Sequence, residues 1–231
     1  MTGGAFVTGT DTGVGKTVFA EALVWRWVQE GHRTAALKPV ASGCRMTKAG
    51  MRNPDAERLL AVSNVTAAYA TINPYCLEPA VAPHIAAAQA DIRIEISRIR
   101  LCFDEVARRS DYVVVEGVGG WQVPLGPDTT VADLAVSLGL PVILVVAIRL
   151  GCLNHALLTA VAIQNSGASL FGWVANQVDP HVQFVADNIE SLINRLDAPL
   201  LGVIPHLPKE VSAPIVNRYF LRATNLHGMD F

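Results

Sequence analysis

The chain has 231 residues and a formal net charge of −2 at pH 7, with 51% hydrophobic and only 16% charged residues. This composition suits a compact α/β fold with strands covered on both faces, and it excludes a disordered chain and a basic nucleic-acid binder. With no secretory leader, no apolar stretch of about 20 residues and no CxxC pair among its four cysteines, we expect one cytoplasmic domain over residues 1–231 with reduced thiols.

The first predicted element is a strand at residues 5–7, which runs into a glycine-rich loop at 9–17 and then into an apolar helical pattern. Glycines let successive N–H groups point inward, and the first helical turn adds unpaired donors, so the loop predicts a phosphate cradle. Lys16 is placed to contact the β and γ phosphates, and the Thr17 hydroxyl to ligate Mg²⁺. Thr10 stands where the usual pattern has glycine, so the loop is a variant form. The strand and helix patterns around it favour this interpretation over a chance Gly-Lys-Thr.

Further apolar runs predict strands, and helical spacings of apolar residues fall between most of them. The predicted strands lie at 5–7, 35–37, 113–115, 142–146, 173–175 and 200–204, and the predicted helices at 18–30, 92–108, 154–166 and 184–196. Residues 40–91 are interpreted as irregular loops around one short helix at about 55–62, and long loops of this kind usually carry function. The alternation predicts a doubly wound, mostly parallel sheet with helices on both faces, as in P-loop NTPases.

Polar residues end three of the predicted strands: Lys38, Glu116 and Asn176. Ligands bind at the carboxyl ends of strands in an open parallel sheet, so these residues are candidates for a site beside the phosphate loop. Glu116, followed by glycines, suits a Mg²⁺ ligand or a solvent-facing turn residue. Lys38 suits an anion clamp or a surface lysine of an edge strand. Asp55 either ligates the metal or only caps a helix, and residues 150–154 form either a second anion site or a plain N-cap.

Seven segments together resemble the ATP-dependent dethiobiotin synthetases, in order from about residue 6 to about residue 207. They are GTDTGVGKT (9–17), KPVASG (38–43), NPY (73–75), PH (83–84), VEGVGGW (115–121), LGCLNH (150–155) and WVAN (173–176). The resemblance implies that MgATP and CO₂ are used to close the ureido ring of dethiobiotin across the two amines of 7,8-diaminononanoate, in biotin synthesis. It implies a carbamate, its attack on the γ-phosphate, and attack of the second amine on the mixed anhydride. It also implies a homodimer in which a helix start of one subunit holds the substrate carboxylate of the other.

The resemblance also implies a role for each matching position. The Mg²⁺ ligands would be Thr17, Asp55 and Glu116, and the catalytic pair holding carbamate and γ-phosphate oxygens would be Lys16 and Lys38. The ATP-binding positions would be Gly13, Val14, Gly15, Lys16, Thr17, Val18, Asp55, Glu116, Gly117, Val118, Gly119, Asn176, Gln177, Pro205, His206 and Leu207. The substrate-binding positions would be Thr12, Lys38, Ser42, Gly119, Leu153 and Asn154.

Some positions depart from the family pattern. Val118 stands where alanine is commoner, and residues 208–231 match no pattern of the family. Residues 176–179 read Asn-Gln-Val-Asp, which is similar to the Asn-Lys-x-Asp signature of GTPases, so the preference for a nucleotide base stays open.

Two other functions use related folds. A partitioning-type switch ATPase dimerises on ATP and binds membranes or the nucleoid, but it carries an extra lysine early in the loop, where this chain has Thr10, Asp11 and Thr12. No terminal basic amphipathic helix for a membrane is evident either. An amide-forming ligase would need a glutaminase domain with a nucleophilic cysteine, for which 231 residues leave no room. The sequence therefore favours the synthetase.

Overall fold

The computed structural model describes residues 2–207 and 211–219. Its elements, in chain order, are β1 (Gly3–Gly9), α1 (Lys16–Gln29), β2 (Thr34–Leu37), β3 (Val40–Ala41), β4 (Arg45–Thr47), β5 (Gly50–Arg52), α2 (Pro54–Val62), α3 (Tyr69–Ile72), β6 (Tyr75–Cys76), α4 (Pro83–Gln89), α5 (Ile96–Ala107), β7 (Tyr112–Glu116), α6 (Val131–Leu138), β8 (Val142–Ala147), α7 (Cys152–Asn165), β9 (Leu170–Asn176), α8 (Val185–Ile193), β10 (Leu200–Ile204) and α9 (Ala213–Asn217). All the predicted strands are among them.

The main sheet has six strands in the order β10-β9-β8-β1-β7-β2, and neighbouring strands pair in parallel throughout. The predicted doubly wound parallel sheet is therefore confirmed. β7 lies between β1 and β2, so the chain crosses over β7 through α1 before it returns to the sheet. All six strands end at the same edge, which brings the loops that follow β1, β2 and β7 close together.

Helices cover both faces of the sheet. Successive side chains of a strand point to opposite faces, and in this sheet the apolar side chains on each face pack against helices. Phe6 of β1 packs in a cluster that includes residues of α5 and α6. Its neighbours Ala5 and Val7 pack on the other face with residues of α1, α2 and α9. A third cluster joins β8 and β9 to α7 and α8. Within residues 2–207 and 211–219, no helix has the length and apolar character needed to cross a bilayer.

The interpretation of residues 40–91 as loops around one helix is wrong. The segment contains three helices, α2 to α4, and two small sheets, the parallel pair β3-β6 and the antiparallel hairpin β4-β5. Two of the helices begin with a proline, Pro54 and Pro83, at a position where the missing N–H costs nothing. These elements are too short to show the periodicity on which the prediction depended.

One further helix prediction needs correction, and one helix was missed. The helix predicted from residue 92 begins at Ile96, because the N–H of Ile92 bonds to the carbonyl of Ala87 and ends α4 instead. Helix α6 was not predicted, although Thr130 and Asp133 form a capping box at its start. In the tail, α9 packs against α1, while residues 208–210 and 220–231 lie outside the described part of the chain.

Candidate active site

The glycine-rich loop joins the end of β1 to α1 and is supported from β9. Gly15 has φ +97°, a conformation that L side chains rarely adopt. A Cβ at this position would also lie 2.0 Å from the side-chain nitrogen of Asn176, so only glycine fits. The same Asn176 Nδ2 donates a hydrogen bond to the carbonyl of Val14 at 2.8 Å. The end of β9 therefore fixes the shape of the loop at the start of α1.

The Lys16 ammonium spans the mouth of this loop. Its Nζ donates hydrogen bonds to the carbonyl oxygens of Asp11, at 2.9 Å, and of Gly119, at 2.7 Å. Burial, and then the nearby positive charge of Lys38, lower the pKa of Lys16 to about 8. Two cations thus face the same space, which favours the entry of an anion.

A polar cluster lies where β2 and β7 end. It consists of the charged side chains of Lys38, Glu116 and Asp55 and the hydroxyl of Thr17. Lys38 Nζ lies 2.5 Å from Glu116 Oε1 and 3.3 Å from Asp55 Oδ2, and it donates to the carbonyl of Gly117 at 3.1 Å. Burial lowers the pKa of Lys38, but the charges of Glu116 and Asp55 outweigh burial and raise it above its ordinary value. The Thr17 hydroxyl donates to Glu116 Oε1 at 2.9 Å.

This cluster fits a divalent cation. Glu116 is buried, and its second oxygen, Oε2, has no hydrogen-bond partner in the described part of the chain, which is costly for a carboxylate unless a further ligand is bound there. Carboxylate and hydroxyl oxygens are the donors that Mg²⁺ prefers, and Thr17 and Asp55 supply the others. Since residues 2–207 and 211–219 contain no cluster of three His, Cys, Asp or Glu side chains, phosphate and water would complete the coordination.

A cavity of about 760 Å³ opens beside these groups. The phosphate loop, the two lysines and Glu116 form its polar wall. The apolar part of the lining contains residues 80–83, Val118 and Val123. Ser42 also lines the cavity, and its buried hydroxyl has no hydrogen-bond partner within residues 2–207 and 211–219. The lining therefore offers polar groups for a polyphosphate and apolar surface for a ligand with an alkyl chain.

Most of the residues singled out in the sequence line this cavity. They are Thr12, Gly13, Gly15, Lys16, Thr17, Val18, Lys38, Ser42, Asp55, Glu116, Val118 and Gly119. Val14 and Gly117 lie behind the wall and contribute the carbonyl oxygens described above.

The remaining predicted residues lie outside the cavity. Asn176 ends β9 and Gln177 follows it, and residues 205–207 directly follow the neighbouring β10, so the two groups share one corner of the sheet edge. Leu153 and Asn154 lie in the first turn of α7, where Asn154 is exposed. Their roles in binding the base and the substrate carboxylate stay predictions.

Several cavity residues were missed in the sequence. Asn53 caps α2 through its side chain, which accepts hydrogen bonds from the N–H groups of Asp55 and Ala56. The signal was present, because Asn followed by Pro is a common helix start. Arg58 lines the cavity one turn later and bonds Glu21 of α1. No sequence pattern pairs these two residues, which are 37 positions apart.

Comparison with known proteins shows which protein family the chain resembles. The family described as AAA domain matches residues 4–213. An ATP-dependent dethiobiotin synthetase of Pseudomonas paraeruginosa is 48% identical over 218 residues, which cover 94% of this chain and 96% of that protein. The corresponding protein of Cellvibrio japonicus is 49% identical over 202 residues, covering 87% and 89%. Among solved structures, the MinD cell division protein of Aquifex aeolicus matches with a TM-score of 0.57 and 17% identity, covering 94% of this chain and 86% of that one, which shows a shared fold.

Proposed function

This chain belongs to the family of ATP-dependent dethiobiotin synthetases, and from that membership we propose that its cavity is the place of ring closure. The enzyme is an ATP-dependent ligase of biotin synthesis. It uses CO₂ and ATP to close the ureido ring of dethiobiotin across the two amines of 7,8-diaminononanoate. The observation that carries the assignment to this cavity is the convergence of Lys16, Lys38 and Glu116 beside an apolar wall.

The two lysines are suited to hold the reacting anions. Lys16 donates a hydrogen bond to the carbonyl of Gly119, and Lys38 donates one to the carbonyl of Gly117, two residues earlier. Both ammonium groups therefore lie near the same backbone segment, and both lysines line the cavity. A carbamate oxygen and the γ-phosphate that it attacks both carry negative charge, and two fixed cations lower the repulsion between them. Phosphoryl transfer depends chiefly on such positioning and charge neutralisation. We propose Lys16 and Lys38 as the catalytic pair.

The chemistry then balances without a further group on the protein. One substrate amine adds to CO₂ and loses a proton, which gives a carbamate. A carbamate oxygen bonds to the γ-phosphorus as the bond to ADP breaks, which gives a carbamic-phosphoric anhydride. The second amine attacks the carbonyl carbon and loses a proton, the ring closes, and phosphate leaves with that proton and with the oxygen that came from CO₂.

We propose that Thr17, Asp55 and Glu116 hold Mg²⁺, which when bound would neutralise phosphate charge during the transfer. The unpartnered Oε2 of Glu116 and the nearby Thr17 hydroxyl support this assignment. Lys38 would keep its place beside Glu116 through the other carboxylate oxygen. A Mg-ADP complex is named for a MinD protein of Pyrococcus horikoshii, which shares this fold at 15% identity.

We also propose a homodimer that places α7 of one subunit at the site of the other. The exposed large apolar side chains on α7 and the turn before it are Leu150, Leu158 and Val161, at 102%, 63% and 53%, and their occurrence on one element supports a covered face. The N–H groups in the first turn of α7, at Leu153 and Asn154, would then receive the substrate carboxylate. The homodimer is tested by sedimentation of the wild type against Leu158→Glu.

Phosphate release tests the function against the partitioning-type ATPase. The purified chain is incubated with MgATP and bicarbonate, with and without diaminononanoate. Release that requires the diamine supports the synthetase. Equal release in its absence would favour a switch ATPase and would remove the proposal.

A further inference from the structure

The backbone at Lys38 is held by the segment Asn-Pro-Tyr at 73–75, to which the function above gives no role. Lys38 directly follows β2 and is itself followed by Pro39, so regular sheet pairing does not continue. The Lys38 N–H bonds to the carbonyl of Ile72 at 2.9 Å. Its carbonyl oxygen accepts a hydrogen bond from Asn73 Nδ2 at 2.6 Å. Asn73 is 3% exposed, so this contact is protected from water.

Asn73 is itself oriented by Tyr69, one turn earlier. The Tyr69 hydroxyl donates to Asn73 Oδ1 at 3.2 Å and accepts the backbone N–H of Asn53 at 2.7 Å. Burial raises the pKa of Tyr69, so the hydroxyl keeps its proton at working pH. The Arg52 guanidinium lies 4.0 Å from the centre of the ring and covers it. The hydroxyl has one hydrogen to donate and uses it toward Asn73.

The far end of this chain of hydrogen bonds is Asn53, which begins the helix that carries Asp55. Asn53 Oδ1 accepts from the N–H of Asp55 at 3.0 Å and of Ala56 at 3.3 Å. Asn53 Nδ2 also reaches the carbonyl of Ser42 at 3.4 Å. A displacement of Asn53 would therefore move the first turn of α2, and with it the Asp55 carboxylate.

We propose that Asn73, Tyr69 and Asn53 form a positioning network that fixes Lys38 and Asp55 relative to each other in the reaction. The proposal rests on the function proposed above. Lys38 and Asp55 come from different elements, yet their charged groups lie 3.3 Å apart. The strands in the segment between them have two or three residues each, so no long sheet sets this distance. The three polar residues provide the connection.

The network should act on turnover more than on nucleotide affinity. A misplacement of about 1 Å in a reacting group can lower the rate on the order of a hundredfold. The phosphate loop, which supplies most contacts to a nucleotide, is fixed from Asn176 and not from this network. Because Asp55 is also a proposed Mg²⁺ ligand, disturbing the network should lower kcat several-fold more than it raises the Kd for MgATP.

The test compares Tyr69→Phe with Tyr75→Phe. Both substitutions remove one hydroxyl that accepts a backbone N–H, since Tyr75 OH accepts from Glu95 at 2.9 Å, but only Tyr69 belongs to the network. We expect similar losses of Tm in the two variants. For Tyr69→Phe we expect kcat to fall about tenfold with the Kd for MgATP within twofold of wild type, and for Tyr75→Phe we expect both to stay near wild type.

Equal kcat values in the two variants would overturn the inference. If Tyr69→Phe lowers Tm below the assay temperature, Asn73→Asp takes its place, because it keeps an acceptor for Tyr69 and removes the Nδ2 donor to the carbonyls of Lys38 and Tyr75. Wild-type kcat in Asn73→Asp would then overturn it. The wild-type protein tests the proposed function separately, since diamine-dependent turnover there leaves only the network in question.

Discussion

The affinity for ATP should fall as the pH rises above about 8, because Lys16 loses its proton there. The pKa of this lysine is lowered from 10.5 to about 8 in the nucleotide-free protein, first by burial and then by the charge of Lys38. Between pH 7 and pH 9 the charged fraction of Lys16 then falls from about nine-tenths to about one-tenth. If phosphate binds to the charged form, the affinity falls about tenfold over this range, which equals about 1.4 kcal/mol.

The sign of the stability effect follows from the same shift. The folded chain releases the Lys16 proton near pH 8, whereas the unfolded chain keeps it to about pH 10.5. The unfavourable burial of the charge is fully present below pH 8 and disappears between these two values. The contribution of Lys16 to stability without nucleotide therefore rises with pH in this window.

Titration calorimetry with MgATP at pH 7, 8 and 9, in buffers of different ionisation enthalpy, measures both the affinity and the protons taken up. We expect proton uptake to rise from about 0.1 per bound ATP at pH 7, through about 0.5 at pH 8, to about 0.9 at pH 9. Lys38→Met removes the second cause of the shift, so its affinity should fall less by pH 9. Lys16→Met serves as the control with weak, pH-independent binding. A wild-type affinity that stays level from pH 7 to pH 9 would refute this reasoning.

Three substitutions test the rest of the site. Lys38→Met should lower single-turnover phosphate release on the order of a hundredfold or more while MgATP still binds, and retained turnover would remove Lys38 from the mechanism. Glu116→Gln should raise the Mg²⁺ concentration for half-maximal rate, and an unchanged metal titration would speak against its role as a ligand. Gly15→Ala should destabilise the chain in urea by about 2 kcal/mol more than Gly31→Ala, since both glycines have positive φ but only at Gly15 does a Cβ meet Asn176. Equal losses of unfolding free energy in the two variants would show that the close contact with Asn176 does not destabilise Gly15→Ala.

The main sheet could be predicted because its strands carry continuous apolar signals. The six residues of β8, Val142–Ala147, are all buried, and they read as one run of Val, Ile, Leu and Ala. The small sheets could not be predicted in the same way. Strand β3 has two residues, Val40–Ala41, and pairs only with β6, which lies more than 30 positions away. A pattern of period two cannot be recognised in two residues.

Some contacts of the candidate site could likewise be predicted from the sequence, and others could not. Lys38 directly follows β2 and Glu116 ends the neighbouring parallel strand β7, so their approach follows from the strand order. The Asn176 amide supports the loop by donating to the carbonyl of Val14, which lies 162 positions earlier in the chain. No local sequence pattern predicts this contact. Asn73 was part of a recognisable segment, but its contact with the Lys38 carbonyl depends on the packing of α3 beside the end of β2.

The path of oxygen from CO₂ tests the central claim most directly. Bicarbonate labelled with ¹⁸O is mixed with the enzyme, MgATP and diaminononanoate, and the released phosphate is analysed by mass spectrometry before the label exchanges with water. Attack of a carbamate oxygen on the γ-phosphate predicts one labelled oxygen in each phosphate formed. Phosphate released at the same rate without label would contradict the proposed meeting of carbamate and triphosphate between Lys16 and Lys38.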